Sequence, residues 1–213
     1  MNRKGVIKKN ERIEEIMTAA KTVFSKKGYF GSTIDEIAKV AGISKGTIYL
    51  YFKNKDDLYI SLMMPLLEEF ERVLIDFKKN FSNNQYKTGD EVIQGFCEMF
   101  MKQYRYDAEA LRILQIYQLL NLHSVIKEET RERLWLIGKK SRIISEDIIC
   151  DSIKLGLLPK VNPVQLIDVL MGTFLGIVQI QENKYRISGK NHIVETLKYC
   201  FSLISNGLCR STS

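Results

Sequence analysis

The sequence is poor in the residues that build metal sites and disulfide frameworks. Its 213 residues include only four cysteines and two histidines, and no two cysteines form a CxxC pair. We therefore expect no metal site and no structural disulfide, and scattered thiols are typical of a reducing cytoplasm. The sequence also offers no nucleophile–base pair and no glycine-rich phosphate loop. The protein is thus expected not to be an enzyme and to use no cofactor.

Proline and long apolar runs are scarce as well. Three prolines leave room for long helices. The most apolar stretch, residues 166–180, is interrupted by Asp168 and is shorter than the roughly 20 residues that span a bilayer. The N-terminus is charged and has no apolar signal region. These features predict a cytoplasmic protein without a membrane partner.

Apolar residues recur with helical spacing almost throughout, which predicts an all-α fold of about nine helices. In the first helix one stripe runs from Ile13 to Phe24, and Gly28 can end it with a left-handed residue. A long helix is predicted over residues 54–80. Pro65 lies inside it and should bend it, since a proline within a helix costs about 3 kcal/mol.

Positive charge is concentrated at one end of the chain. The formal net charge is +7, and residues 1–55 alone carry twelve Lys and Arg against five acids, an excess of seven. The remainder of the chain is therefore neutral overall. This asymmetry favours a polyanionic partner for the N-terminal part. The first basic residues, Arg3, Lys4, Lys8 and Lys9, are expected to form a disordered tail, with an arm that touches DNA as the alternative.

The segment from Thr33 to Leu58 reads as two short helices joined by a tight turn. Thr33 and Glu36 have the spacing of a capping box, Gly42 can adopt the positive φ that ends the first helix, and Ser44 can cap the second. This arrangement is a helix-turn-helix, which places its second helix in the major groove of DNA.

The same segment resembles the DNA-binding domain of the TetR family of transcriptional regulators. The resemblance runs from about Arg12 to Tyr59. It rests on Thr33, Ile37-Ala38, Ala41-Gly42, Ser44, Gly46-Thr47-Ile48-Tyr49, Tyr51-Phe52, Asn54-Lys55 and Leu58. It implies a three-helix DNA-binding domain over residues 1–55, followed over residues 56–213 by a larger helical ligand-binding and dimerisation domain.

Within this motif we expect a defined set of DNA contacts. Lys45 can donate to a guanine edge, Gly46 lets the backbone approach DNA closely, and tyrosine hydroxyls suit phosphates. Asp35 is left out, because its carboxylate would avoid phosphates and could accept only from a cytosine amine. The predicted DNA-binding residues are Thr33, Ser44, Lys45, Gly46, Thr47, Tyr49, Tyr51 and Lys55.

The C-terminal part offers bulky apolar side chains with few polar groups among them, as ligand pockets do, although the same residues suit an ordinary core. This favours an uncharged or weakly polar, partly aromatic small-molecule effector. The predicted ligand-binding residues are Phe96, Phe100, Tyr104, Leu114, Tyr117, Gln118, Asn121 and Phe174.

Two features predict a homodimer through the last two helices: apolar stripes, and two glycines four residues apart, Gly172 and Gly176. The stripes are Leu166, Val169, Leu170, Thr173, Phe174 and Ile177 on one helix and Leu197, Cys200, Phe201 and Ile204 on the last. The leading hypothesis is a repressor that a small molecule releases from its operator. The alternative is a DNA-binding regulator or organiser whose C-terminal domain responds to a protein partner. An open cavity in that domain favours the first and a sealed core favours the second.

Overall fold

The computed structural model describes residues 3–120 and 126–210, and within those residues it contains α-helices and no strand. This confirms the all-α class. Ten helices follow one another along the described chain: α1 Arg3–Lys27, α2 Ile34–Ala41, α3 Lys45–Tyr49, α4 Lys55–Ser61, α5 Met64–Ser82, α6 Gly89–Tyr106, α7 Ala108–Leu120, α8 Glu128–Lys154, α9 Pro163–Ser188 and α10 Ile193–Arg210.

The chain divides into two compact units, and neither is continuous in sequence. The first comprises residues up to Pro65 together with Glu109–Leu136. The second comprises Leu66–Ala108 together with the residues from Ile137 onward. The first unit therefore contains α1–α4, α7 and the beginning of α8, so residues far from the N-terminus fold with the helix-turn-helix.

Local capping interactions determine where α2 and α3 of the first unit begin and where α2 ends. Thr33 and Glu36 form the predicted capping box: the Glu36 amide donates to the Thr33 hydroxyl at 3.2 Å, and the Thr33 amide donates to the Glu36 carboxylate at 3.1 Å. Gly42 ends α2 with φ +67°, a left-handed conformation that costs glycine little. Ser44 then caps α3 by accepting from the Thr47 amide at 3.1 Å.

Two expectations about the helices are wrong. Residues 54–80 do not form one bent helix: α4 ends at Ser61, and Pro65 is the second residue of α5. A proline there is well accommodated, because the first turn of a helix leaves its amides without partners in any case. The N-terminal basic residues do not form a disordered tail either, since α1 begins at Arg3 and includes Lys8 and Lys9.

Aromatic residues form the core of the second unit, where α6, α9 and α10 pack together. Phe96, Phe174 and Phe201 are fully buried. The rings of Phe100 and Phe174 stack with centroids 4.7 Å apart, and the ring of Phe201 meets that of Phe100 edge-on at 6.0 Å. Offset stacking and edge-to-face contacts are the favoured geometries of aromatic pairs.

Helix α9 buries one stripe and exposes another. Four residues of the stripe that was expected to pair across a dimer interface are instead buried inside its own unit: Leu166, Leu170, Phe174 and Ile177. Of the other two, Val169 is half exposed and Thr173 is partly buried. The exposed face of α9 carries Val169 and Ile180, each about half exposed. By length and composition alone α9 could span a membrane, although core helices of soluble proteins meet the same criterion.

Candidate nucleic-acid interface

One face of helix α3 packs on the core of the first unit, and the opposite face is exposed to solvent. Ile48 is fully buried, as are Ile37 of α2 and Leu58 of α4, so the core of the helix-turn-helix fixes α3 in place. Lys45, Gly46 and Tyr49 lie on the opposite, exposed face of α3. A short helix held rigidly with its N-terminal turn exposed is the arrangement that a recognition helix requires.

Lys45 does not project into solvent alone. Its ammonium lies 2.7 Å from the Asp35 carboxylate at the start of α2, and the two side chains are 47% and 66% exposed. The hydrogen bond to Asp35 is the main cause of a raised pKa for Lys45, so this side chain is a cation at neutral pH. The structure therefore joins a predicted contact residue to the one acid that the sequence argument had set aside.

Gly46 has free space around it. A Cβ atom built at this position would meet only the Ser44 hydroxyl, at 3.7 Å, which is an ordinary van der Waals distance. Nothing in the described protein therefore requires glycine at residue 46. A requirement for glycine would have to come from a molecule that approaches α3 from outside.

The remaining predicted DNA-binding residues lie around α3 but differ in what their side chains do. The hydroxyls of Ser44 and Thr47 are 2.9 Å apart, and that of Thr33 serves the α2 cap. Tyr51 is partly buried just after α3. Lys55 donates to the carbonyls of Tyr29 and Ser32 at 3.0 and 3.1 Å and lies over the Tyr29 ring, so it ties the turn after α1 to α4.

A second carboxylate, Asp57, was not singled out by the sequence argument. Its side chain is fully buried and accepts hydrogen bonds from the Lys53 amide at 2.9 Å, the Lys127 amide at 3.0 Å and the Thr130 hydroxyl at 3.2 Å. Lys127 also donates from its ammonium to the carbonyl of Tyr51. Asp57 and Lys127 thus fasten the beginning of α8 to the end of the helix-turn-helix.

The eight predicted ligand-binding residues fall into both units. Phe96, Phe100, Tyr104 and Phe174 belong to the second unit, where the three phenylalanines are buried and Tyr104 is partly buried. Leu114, Tyr117 and Gln118 belong to α7 of the first unit, where Tyr117 is buried and Gln118 is exposed. Asn121 lies outside the described residues.

The second unit also has a groove between α5 and α6 that the sequence did not suggest. Its volume is about 490 Å³, within the usual range for small-molecule sites. Arg72, Lys102 and Arg105 line it together with acids, and Arg72 is itself paired with Glu69 and Asp76. None of the seven predicted ligand-binding residues that the structure describes lines this groove.

Known proteins show the same N-terminal motif. Residues 16–62 match the family model described as bacterial regulatory proteins of the tetR family. Residues 16–62 therefore carry the DNA-binding motif of the TetR family. No group of His, Cys, Asp and Glu side chains in the described part of the chain has an arrangement that could hold a metal ion.

Two curated relatives are regulators by name. The fatty acid metabolism regulator protein of Bacillus subtilis (strain 168) is 44% identical over 72 residues, which make up 33% of this chain and 37% of that protein. The HTH-type transcriptional regulator RutR of Escherichia coli (strain K12) is 27% identical over 152 residues, or 71% and 66% of the two chains. The chain therefore spans less than two thirds of the length of each.

One solved structure covers nearly the whole molecule. The transcriptional regulator FadR from Bacillus subtilis, in complex with stearoyl-CoA, superimposes with a TM-score of 0.64 and 25% identity. The match covers 92% of this chain and 98% of that chain. The likeness therefore extends beyond the helix-turn-helix to the helices that follow it.

The space around Gly46 leads to a test of the interface. Gly46→Ala should melt no lower than the wild type, because alanine is favoured over glycine in helices by about 0.8–1.0 kcal/mol. If DNA approaches α3 closely, the added methyl group should weaken binding to the gene's upstream DNA by about 1–3 kcal/mol. Thermal melting and fluorescence anisotropy measure the two effects separately.

Gly138→Ala is the matched control, because Gly138 is an exposed glycine of α8 with equally open surroundings. It should bind DNA like the wild type. Wild-type affinity in Gly46→Ala would show that the first turn of α3 does not lie against DNA.

Proposed function

We propose that this protein is a cytoplasmic transcriptional regulator that binds duplex DNA by inserting α3 into the major groove. The observation that carries this proposal is the exposed N-terminal turn of α3, held on a buried helix-turn-helix core. The seven excess positive charges in residues 1–55 support it, because phosphate neutralisation supplies most of the affinity of such proteins for DNA.

In this proposal the DNA contacts come from residues 1–55 and the rest of the chain serves ligand binding and dimerisation. Thr33, Ser44, Lys45, Gly46, Thr47, Tyr49, Tyr51 and Lys55 remain the proposed contact set. The Lys55 ammonium already donates to the carbonyls of Tyr29 and Ser32, so in this proposal it contributes to DNA binding by holding the N-terminus of α4 against the turn after α1.

We further propose that the protein is a repressor that leaves its operator when a small molecule binds. The solved FadR neighbour holds stearoyl-CoA, a molecule with a long apolar chain, and the second unit here has an aromatic interior. In this proposal the apolar part of the effector inserts among these aromatic side chains, because an ion buried there without a partner would be costly. The acyl chain agrees with the apolar effector expected from the sequence, whereas the charged CoA group departs from it. Because the aromatic side chains are fully buried in this structure, a protein partner of the second unit remains the alternative.

Dimerisation through α9 and α10 completes the proposal. Val169, Gly172, Gly176 and Ile180 repeat every three or four residues on one side of α9, and a Cβ atom added at either glycine meets nothing within 4 Å. On α10, Tyr199 and Leu203 are 64% and 51% exposed. Large apolar side chains around small residues are typical of helices that pack closely against a second copy.

The DNA-binding proposal predicts specific binding that weakens steeply with salt. The upstream duplex of the gene should bind more tightly than a shuffled duplex, and each phosphate neutralised should add about 0.9 to the log–log salt slope. Fluorescence anisotropy at several salt concentrations measures both quantities. Equal affinity for the two duplexes at physiological salt would contradict operator binding by this protein.

The same complex tests the effector. Stearoyl-CoA should weaken operator binding by about 5- to 150-fold, and free CoA, which lacks the acyl chain, should not. Release by neither compound, or by both equally, would overturn the acyl-chain proposal while leaving DNA binding intact.

The interface proposal predicts a dimer in solution. Gly176→Leu should shift the sedimentation coefficient from dimer towards monomer, because the new side chain occupies the space that the second copy needs. Gly138→Leu, at an exposed glycine of α8, should remain dimeric. A monomeric wild type at micromolar concentration would show that this face of α9 and α10 does not pair.

A further inference from the structure

A carboxylate and an ammonium lie side by side where α3 begins. The Lys45 ammonium is 2.7 Å from an oxygen of the Asp35 carboxylate, and both side chains remain largely exposed to solvent. Lys45 is the first residue of α3, at the end of a recognition helix that normally faces base edges. Asp35 is therefore brought to the same end of α3, although it belongs to α2.

Their pairing changes what each side chain can recognise. A lone Asp35 carboxylate would be repelled by DNA phosphates, and a lone Lys45 ammonium would bind phosphates without regard to sequence. Because the paired side chains have no net charge, neither repulsion of Asp35 by DNA phosphates nor attraction of Lys45 to them dominates. What remains is a hydrogen-bond pattern: the ammonium has two further N–H groups to donate, and the carboxylate has lone pairs free to accept.

This pattern matches one type of base pair better than the others. In the major groove a G·C pair presents two adjacent acceptors, guanine N7 and O6, followed by one donor, the cytosine N4 amine. The two N–H groups of Lys45 fit the guanine acceptors while Asp35 accepts from the cytosine amine. In an A·T pair the single adenine donor lies between two acceptors, which would repel the carboxylate on both sides.

We propose that Asp35 is a specificity-determining residue, which together with Lys45 reads one C·G base pair in each half-site. The inference rests on the proposed function, since it applies only if α3 enters the major groove. It adds Asp35, which was left out of the contact set predicted from the sequence, to the DNA-recognition surface. Because ion pairs this exposed contribute little to stability, Asp35 can be replaced without endangering the fold.

The test is selection of bound duplexes from a randomised pool, followed by sequencing, for the wild type and Asp35→Asn. The wild type should select C·G at one position of each half-site, with a preference of about 5- to 150-fold. Asp35→Asn keeps the shape of the side chain but adds an amide donor, so adenine should be accepted there as well. Preferences at the other positions should remain.

Glu15→Gln is the charge-matched control. Like Asp35→Asn, it raises the net charge by one because it removes the carboxylate of an exposed ion pair, here the pair with Arg12 in α1. Its selected sequences should equal those of the wild type, and thermal melts should show all three proteins folded.

A double-mutant cycle adds a second readout. On the C·G operator the effects of Asp35→Asn and Lys45→Ala should be non-additive, because the two side chains read one base pair together. On an operator with A·T at that position the effects should be additive.

Each outcome decides the matter. Loss of the C·G preference in Asp35→Asn alone supports the proposal. An unchanged profile in Asp35→Asn, or equal changes in Asp35→Asn and Glu15→Gln, overturns it. A wild type that selects no sequence at all would instead overturn the proposed function, which keeps the two failures distinct.

Discussion

The side chain of Asp57 is completely buried and accepts hydrogen bonds from two segments of the chain. One donor is the nearby Lys53 amide, and the others are the Lys127 amide and the Thr130 hydroxyl, about 70 positions further along the chain. A buried carboxylate without partners is far more costly than an exposed one, so these donors must stay in place in the folded state. The carboxylate therefore fixes two things at once: the turn between α3 and α4, and the first turn of α8. The rest of the first unit is built around this constraint.

This constraint accounts for the grouping of the helix-turn-helix with residues far along the chain. Residues 109–136 belong to the same unit as the helix-turn-helix. Helix α8 begins at Glu128, next to the Lys127 amide that donates to Asp57, and it continues into the second unit. The chain also passes from the first unit to the second at Pro65, in the first turn of α5.

Helix caps and buried positions could be predicted from the sequence, whereas contacts between residues far apart in the chain could not. The Thr33 capping box, the Gly42 turn and the burial of Ile37, Ile48 and Leu58 all follow from spacing over a few residues. Asp57, in contrast, has the sequence pattern of an ordinary first-turn acid, and only the fold brings Lys127 to it. The prediction that the apolar stripe of α9 forms a dimer interface was wrong for a related reason. Periodicity indicates that Phe174 is buried, but not whether residues of its own chain or of a second copy bury it.

The most direct test of this account is amide hydrogen exchange of Asp57→Asn compared with the wild type and with Asp147→Asn, which removes an exposed carboxylate of the second unit. If Asp57 joins the two segments, the peptides that contain residues 51–57 and 126–131 should both exchange faster in Asp57→Asn, and α2 should keep its protection. Asp147→Asn should leave both segments unchanged. Faster exchange around residue 57 alone, with residues 126–131 protected as in the wild type, would contradict the central role given to this carboxylate.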